Sequence, residues 1–399
     1  KNKMNIGIIK EGKNPPDKRV PLSPEQCKYI SHKYSSVSLY VQSSEIRCFS
    51  DEEYIKNGIK IVSDLSFCDI ILGVKEVPIE MLLDNKVFFF FSHTIKKQPY
   101  NQELLKQIIA KNIQLIDYET LVYNNLKRVI GFGRYAGIVG AYNTFLTHGR
   151  KTKKYTLPYA HTLDSKIQLD AQLLNVKLPS NFKILLTGDG RVSQGVQEIL
   201  EILNIKKVSK NDFINMDFNC PVYTQLLPSD YYKKKGQMVF EKSNFYKYPD
   251  KYKSCLNDFA IHSNMLITGH YHAPNNPFLL SKKELEENKK LRIIGDISCD
   301  ISGPIASTIR PSTINQPVYG YNSITGLEDD IYNNDVIAVM AVDNLPCSLP
   351  KDASIDFGSV FVEKVLPDLL SNGEIISRGT IAKDGNLSER FNYLSDYIV

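Results

Sequence analysis

The stretch that most constrains this chain is residues 181–204, which read NFKILLTGDGRVSQGVQEILEILN. A short apolar run is followed by Gly188, Gly190 and Gly195, with Arg191 and Val192 between them. Apolar residues then recur at the spacing of one helix face, so the order predicts a strand, a glycine-rich turn and a helix. In such a unit the glycines let phosphates approach the backbone, and the helix N-terminus offers N–H groups. The spacing GxGxxxxG is two residues longer than the usual GxGxxG, but its context favours a dinucleotide-binding site.

The composition excludes several classes of protein. A chain of 399 residues with 42% apolar content is long enough for two or three domains with buried cores. No apolar run approaches the roughly 18 residues that cross a membrane. The net charge of +5 and the scattered lysines do not predict nucleic-acid binding. We expect a cytoplasmic protein, because the first residues lack the shape of a signal peptide and the seven cysteines form no CxxC pair.

In the first part of the chain, apolar runs alternate with helical patterns, which predicts a parallel sheet. A polar residue follows each of three of these apolar runs. These residues are Lys75, His93 and Glu119, and the carboxyl ends of strands are where open α/β sheets bind ligands. A desolvated lysine and a histidine can both move protons near neutral pH. From the pattern alone, a surface lysine and a histidine at the core edge remain the simpler interpretation.

The predicted strands of the first part are residues 4–9, 37–41, 68–74, 86–91 and 113–118. Residues 133–149 predict a helix rich in small residues that leads into the nucleotide-binding part. Further strands are predicted at 206–209, 264–268, 291–297 and 336–342, and a helix at 354–370, whereas 211–260 looks irregular. His270 and His272 could be metal ligands, but no third ligand is evident, so we predict no metal site. Asp296 and Asp300 could hold a ribose or an amine, or simply form an Asx turn.

Several segments in sequence order resemble the saccharopine dehydrogenase (lysine-forming) and lysine–2-oxoglutarate reductase group, relatives of alanine dehydrogenase. They are DKRVPLSP (17–24), VKE (74–76), FFFFSHTIKKQ (88–98), DYETLVYNNLKRVIGFGRYAG (117–137), GDGRVSQGVQEIL (188–200), DISCDISG (296–303), RPSTINQPVYGY (310–321) and AVDNLP (341–346). The resemblance runs over nearly the whole chain. It implies two Rossmann-like α/β domains with an interdomain cleft. The first domain is discontinuous, 1–135 with 350–399, and is rejoined by the C-terminal helix; the dinucleotide-binding domain is 136–349.

The resemblance also implies roles for residues. Lys75 would be the acid–base group at the secondary amine of saccharopine, and His93 the one for the imine and carbinolamine steps. The substrate carboxylates would be held by Arg19, Lys96 and Arg128, with Glu119 tuning this cationic cluster or meeting an amine. Asp300 would lie near the nicotinamide. The implied substrates are L-lysine, 2-oxoglutarate and saccharopine, and a homo-oligomer is possible.

The cofactor choice rests on the end of the predicted second strand of the nucleotide domain. Ser209 and Lys210 stand where an NAD enzyme usually carries an acid for the ribose hydroxyls. Of NADP and NAD, this favours NADP, because a 2′-phosphate is drawn to lysine and to a hydroxyl. Two other functions stay open: an amino-acid dehydrogenase like alanine dehydrogenase, and a catalytically silent nucleotide-binding protein. Intact Lys75 and His93 weigh against the silent one.

Overall fold

The computed structural model describes residues 3–273 and 275–399. In its first part, strands alternate with helices in the order β1 (Met4–Ile8), α1 (Pro24–Lys33), β2 (Val37–Gln42), α2 (Asp51–Lys56), β3 (Lys60–Val62), β4 (Ile70–Leu72), β5 (Val87–Phe90), α3 (Gln102–Ala110) and β6 (Gln114–Asp117). Helix α1 begins at a paired cap: Ser23 accepts the Gln26 N–H, and the Gln26 side chain accepts the Ser23 N–H. This is a capping box that satisfies two backbone donors.

The middle of the chain continues with α4 (Gly133–Thr152), α5 (Lys166–Gln172), β7 (Lys183–Thr187), α6 (Arg191–Ile202), β8 (Lys206–Lys207), α7 (Lys210–Asn215), β9 (Val222–Leu226), α8 (Pro228–Tyr231), β10 (Tyr232–Lys234), α9 (Lys242–Lys247), β11 (Tyr252–Ser254), α10 (Asn257–Ala260), β12 (Met265–Thr268), α11 (Lys282–Glu287), β13 (Ile293–Asp296), β14 (Val318–Asn322), β15 (Leu327–Asp329) and β16 (Ile337–Met340). The last part holds α12 (Pro350–Val360), a π-helical turn (Phe361–Val365), α13 (Leu366–Leu370), α14 (Glu374–Gly379), β17 (Thr380–Lys383) and β18 (Asn386–Leu387).

These elements form two compact units. Unit 1 comprises residues 3–132 and Pro350–Val399, and unit 2 comprises Gly133–Leu349. Each unit is built on an eight-stranded sheet. Among the residues that the structure describes, no helix is both long and apolar enough to cross a membrane.

In unit 1 the sheet order is β18-β17-β6-β5-β4-β1-β2-β3, and β1 to β6 pair in parallel. Both faces are covered, as nearly continuous apolar strands require. Phe89 packs in one core with residues of α1 and α12, whereas its neighbours Phe88 and Phe90 pack in the other core with α3. The C-terminal part was predicted to contribute only a helix, and that was incomplete: β17 also joins the sheet, antiparallel to β6.

In unit 2 the sheet order is β15-β14-β16-β13-β12-β7-β9-β8. The strand that enters the glycine turn, β7, is fully buried and lies in the middle, paired in parallel with β12 and β9. Helix α6 packs on α4 through glycines, because a Cβ on Gly195 would lie 2.0 Å from the Arg134 carbonyl oxygen. One on Gly137 would lie 1.9 Å from the Val192 carbonyl oxygen. The strand–turn–helix predicted at 181–204 is therefore correct.

Residues 211–260, predicted as irregular, contain regular elements between their loops. They contain β9, which lies between β7 and the edge strand β8 in the unit 2 sheet, and the antiparallel pair β10–β11. The predicted strand 206–209 is wrong at its C-terminal end, since β8 covers only Lys206–Lys207 and Ser209 is the N-cap of α7. A larger correction concerns position: the strand beside β7 is β9, and β8 lies outside it at the edge.

Candidate active site

The carboxyl ends of the parallel strands of unit 1 gather the polar residues predicted for catalysis. Lys75 follows β4, His93 follows β5 and Glu119 follows β6, and these three strands are neighbours in the sheet. Glu11, just beyond the end of β1, belongs to the same edge. Its carboxylate accepts the N–H groups of Val74 (2.7 Å) and Lys75 (2.9 Å). Glu11 therefore fixes the backbone from which the Lys75 side chain projects.

The electrostatic surroundings of Lys75 suit proton transfer. Its pKa is lowered from the ordinary value of 10.5, first by burial and second by the positive charge of Arg19. The negative charges of Asp17 and Glu76 oppose this shift. A lowered pKa increases the fraction of neutral amine near physiological pH, which is the form that can accept a proton.

His93 is bound to the residue that follows Lys75. Its Nδ1 lies 2.7 Å from Oε1 of Glu76, whose other oxygen accepts the Lys13 ammonium at 2.6 Å. Burial works against ionisation of Glu76, but the hydrogen bonds from His93 and Lys13 prevail and hold its pKa at about 2. A carboxylate can only accept, so Nδ1 carries the proton toward Glu76 and Nε2 is left for a substrate.

The backbone at His93 is unusual. Its φ of 53° is in the left-handed region, where residues other than glycine are uncommon. The ring stacks on Phe91 with 6.3 Å between centroids. Phe91 is part of an aromatic cluster with Tyr118, Phe132 and Phe357. Such strain persists where surrounding contacts enforce it, and here it turns the histidine out of the strand direction.

The predicted carboxylate-binding residues are engaged with carboxylates of the chain itself. Arg19 is buried and makes two bonds to Asp17, 3.1 Å from Nε and 2.7 Å from Nη2, and its guanidinium lies 4.3 Å from the centre of the Phe132 ring. Glu119 accepts Arg128 at 2.9 Å and has Lys96 at 3.9 Å. The structure thus brings Lys96, Glu119 and Arg128 together, as one cationic cluster with a carboxylate between its members.

Sequence reasoning did not assign a role to Glu11, Lys13 or Glu76. The position of Glu11 offered a signal, because it follows the first strand just as Lys75, His93 and Glu119 follow later ones. Its pKa is raised from 4.5 to about 7, mainly by burial, although the two backbone N–H groups act in the opposite direction.

The glycine turn of unit 2 has room for a ligand. A Cβ on Gly190 would meet nothing within 4 Å, and α6 begins at the next residue, Arg191. Gly188 has a φ of +93°, which favours glycine, and its carbonyl oxygen accepts the Gln225 side chain at 2.8 Å. Beyond β13, Asp300 lies in a turn between Cys299 and Ser302, both with φ of 50°. Asp296 itself is buried and accepts the hydroxyls of Thr268 and Ser298, so its role is structural.

Ser209 and Lys210, predicted to lie at the end of a strand, lie at the start of α7. Ser209 accepts the Asp212 N–H as a helix cap, and Lys210 pairs with Asp230 at 2.6 Å. Asp230 follows β9, the strand beside β7. Within residues 3–273 and 275–399, no group of three His, Cys, Asp or Glu side chains could hold a metal ion.

Comparison with known proteins shows which proteins the chain is similar to. Residues 7–139 match the family model described as alanine dehydrogenase/PNT, N-terminal domain. Alpha-aminoadipic semialdehyde synthase of Arabidopsis thaliana is 29% identical over 442 residues, covering 98% of this chain and 41% of that protein. The mitochondrial enzyme of Bos taurus is also 29% identical, with 98% and 48% covered. Saccharopine dehydrogenase [NAD(+), L-lysine-forming] of Candida glabrata is 26% identical, with 92% and 91% covered.

The resemblance inferred from the sequence is confirmed. The chain spans about half the length of the alpha-aminoadipic semialdehyde synthases that it matches, and almost the full length of the saccharopine dehydrogenases.

Solved structures confirm the fold class. An L-alanine dehydrogenase matches with a TM-score of 0.62 at 14% identity, covering 99% of this chain and all of the other. The transhydrogenase from Sinorhizobium meliloti matches with a TM-score of 0.57 at 14% identity, with 96% and 98% covered. The α/β architecture with two Rossmann-like parts is therefore shared with these proteins.

Proposed function

We propose that this chain is an oxidoreductase that interconverts saccharopine with L-lysine and 2-oxoglutarate, using a nicotinamide cofactor. The observation that carries the proposal is the arrangement at the carboxyl edge of the unit 1 sheet. There the desolvated Lys75 and the Glu76-bound His93 stand among cationic side chains. The names of its relatives point to the same reaction. In this proposal unit 1 is the substrate and catalytic domain, and unit 2 is the dinucleotide-binding domain.

The residues of unit 1 fit the proton transfers of this reaction. Neutral Lys75 would take the proton from the secondary amine of saccharopine, and its ammonium form would return it in the direction of lysine condensation. His93, with Nε2 available, would move protons at the carbinolamine and imine. Saccharopine carries three carboxylates, so their desolvation must be offset by basic groups. We assign Arg19, Lys96 and Arg128 to this task, and Glu119 to tuning the charge of Lys96 and Arg128.

The residues of unit 2 fit a dinucleotide. The open space at Gly190 and the start of α6 at Arg191 and Val192 would accept the pyrophosphate, since backbone N–H groups and the positive end of a helix bind anions there. Gly195 allows the close packing of α6, and Asp300 would lie toward the nicotinamide. When bound, the cofactor supplies or accepts the hydride at the C–N bond.

The cofactor is proposed to be NADP(H). The residues that support this choice lie at the end of β9, and not at the end of the strand predicted from the sequence. The acid at the end of the strand beside β7 is Asp230, but both its oxygens are engaged, one by Lys210 and the other by the Leu227 N–H at 2.7 Å. Lys207 lies at the same end, bonded to Gln225 at 2.7 Å. Two ammonium groups there favour a 2′-phosphate over free ribose hydroxyls.

Steady-state kinetics with both reduced cofactors tests this choice. We expect the wild type to prefer NADPH in kcat/KM, and Lys210→Ala to lose about tenfold or more with NADPH but little with NADH. The variant also frees Asp230 to accept hydrogen bonds from ribose hydroxyls. The preference for NADPH over NADH should therefore become smaller or reverse. A wild-type preference for NADH would contradict the assignment. Equal losses with both cofactors would show that Lys210 does not contact the 2′-phosphate.

Product analysis tests the reaction itself. The full chain is incubated with L-lysine, 2-oxoglutarate and NADPH or NADH, and the mixture is analysed by mass spectrometry. The proposal requires saccharopine to accumulate as the reduced cofactor is consumed. Formation of alanine from pyruvate and ammonia instead would support an alanine dehydrogenase-like function. Binding of a dinucleotide without turnover of either substrate pair would support the silent nucleotide-binding protein.

A further inference from the structure

His270 is a buried residue that the proposed function does not use. It follows Gly269 at the carboxyl end of β12, which pairs with β7 on the side away from β9. Its backbone abuts the glycine turn, because a Cβ on Gly188 would lie 2.3 Å from the Gly269 carbonyl oxygen and 2.8 Å from the His270 nitrogen. The imidazole therefore stands next to the turn assigned above to the pyrophosphate.

One ring nitrogen of His270, Nδ1, is engaged by a hydrogen bond to Thr187. Nδ1 lies 2.6 Å from the Thr187 hydroxyl, and the Gly269 N–H points to the same hydroxyl oxygen at 3.3 Å. The same N–H donates to the Thr187 backbone carbonyl at 2.9 Å. We assign the Thr187 hydroxyl as the donor to Nδ1, which places the proton of the neutral ring on Nε2. Burial lowers the pKa of His270 to about 4, despite the opposing charge of Asp296, so the ring is neutral at physiological pH.

Nε2 of His270 is buried and has no hydrogen-bond partner among the described residues. Both oxygens of the neighbouring Asp296 are engaged, Oδ1 by the hydroxyls of Thr268 and Ser298 and Oδ2 by the hydroxyl of Thr308. A metal does not explain the histidine either: the His272 ring lies 6.5 Å away between ring centres, and no third ligand completes a site within the described part of the chain. A buried N–H without an acceptor is costly, which is a reason to expect that a ligand supplies one.

We propose that His270 is a cofactor-binding residue that donates Nε2–H to a hydroxyl of the nicotinamide ribose. This inference rests on the proposed function, because it requires a bound dinucleotide. The sheet order indicates which half of the dinucleotide lies near His270. The adenosine half lies toward the strand beside β7 whose end carries the residues that bind the adenosine ribose or its 2′-phosphate, here β9. The opposite side, toward β12, belongs to the nicotinamide half.

Two substitutions separate the two nitrogens of the ring. In His270→Asn the amide oxygen takes the place of Nδ1 and can still accept the Thr187 hydroxyl, but the donor at Nε2 is lost. In His270→Gln the amide N–H reaches the place of Nε2, and the Thr187 partner is lost instead. Binding of NADPH and NADH is measured by calorimetry on the full chain. Binding of ADP, which lacks the nicotinamide ribose, is measured in the same way.

We expect His270→Asn to weaken the binding of the better-bound dinucleotide about tenfold, and the binding of ADP less than about twofold. The dinucleotide affinity of His270→Gln should stay within about threefold of wild type. Unchanged dinucleotide binding in His270→Asn would overturn the inference. So would equal losses for dinucleotide and ADP, or a loss in His270→Gln as large as in His270→Asn. If the wild type binds no dinucleotide, the proposed function fails as well. If the wild type binds it and His270→Asn binds equally well, only this inference fails.

Discussion

Oε1 of Glu76 lies 2.7 Å from Nδ1 of His93, and its other oxygen holds the Lys13 ammonium. The neighbour of the proposed catalytic lysine thus orients the proposed catalytic histidine. Replacing Glu76 by Gln removes the charge and one of the two acceptor oxygens, so the ring loses its fixed tautomer and orientation. We expect kcat to fall, but by less than the about 10²- to 10⁴-fold expected for losing an acid–base group.

A double-mutant cycle checks this relationship. If Glu76 acts through His93, then Glu76→Gln combined with His93→Gln should be no slower than His93→Gln alone. Glu80→Gln, at an exposed position on the same segment, is the matched control and should keep the wild-type kcat. Fully additive losses would mean that Glu76 acts on the reaction independently of the histidine.

Glu11 should impose a pH dependence on stability. Its pKa is raised from 4.5 to about 7 by burial, so the folded chain binds more protons than the unfolded chain between these values. The contribution of Glu11 to the free energy of unfolding therefore decreases as the pH rises from 4.5 to about 7, and it is constant above that pH. Glu11→Gln lacks the titration but keeps one acceptor oxygen, enough for one of the two N–H groups of Val74 and Lys75.

Denaturant unfolding of both proteins between about pH 4 and 8 tests this prediction. Other titrating groups cancel in the difference, so the stability of wild type minus that of Glu11→Gln should fall between pH 4.5 and about 7. A difference that stays constant, or rises with pH, would show that Glu11 is already ionised in the folded chain.

Two glycines, Gly190 in the turn and Gly195 in α6, should separate the requirements of folding from those of dinucleotide binding. A Cβ on Gly195 meets backbone at 2.0 Å, so Gly195→Ala must push α6 away from α4 and should cost about 1–3 kcal/mol of stability. A Cβ on Gly190 meets nothing within 4 Å. Gly190→Ala should therefore fold with nearly wild-type stability and still weaken dinucleotide binding, because its methyl group occupies space assigned to the phosphates.

Thermal unfolding and dinucleotide titration of the two variants are compared directly. If Gly190→Ala binds the dinucleotide as tightly as wild type, the pyrophosphate does not approach this turn. If Gly195→Ala is as stable as wild type, the tight contact with the Arg134 carbonyl is relieved at no cost.

Local patterns sufficed for much of this structure. The glycine turn between β7 and α6 was predicted because its strand, turn and helix each carry their own periodicity. The edge position of Lys75, His93 and Glu119 followed from the apolar runs before them. Predicted strands were mostly one to three residues too long, since apolar residues continue past the last ladder hydrogen bond.

Sheet order and buried charge could not be predicted in this way. Nothing local shows that β9 rather than β8 lies beside β7, because β8 has two residues and β9 falls within a tyrosine-rich stretch with proline before it. The bonds of Glu11 to the end of β4, and of Glu76 to Lys13, join residues more than sixty positions apart. Such contacts exist only once the parallel strands are assembled.

The central claim is tested most directly by comparing kcat/KM for two substrate pairs, L-lysine with 2-oxoglutarate and ammonia with pyruvate, while following oxidation of the reduced cofactor. We predict turnover with the first pair and not the second. In Lys75→Met, kcat should fall about 10²- to 10⁴-fold while dinucleotide affinity stays unchanged. Turnover with ammonia and pyruvate alone, or an unchanged kcat in Lys75→Met, would contradict the account.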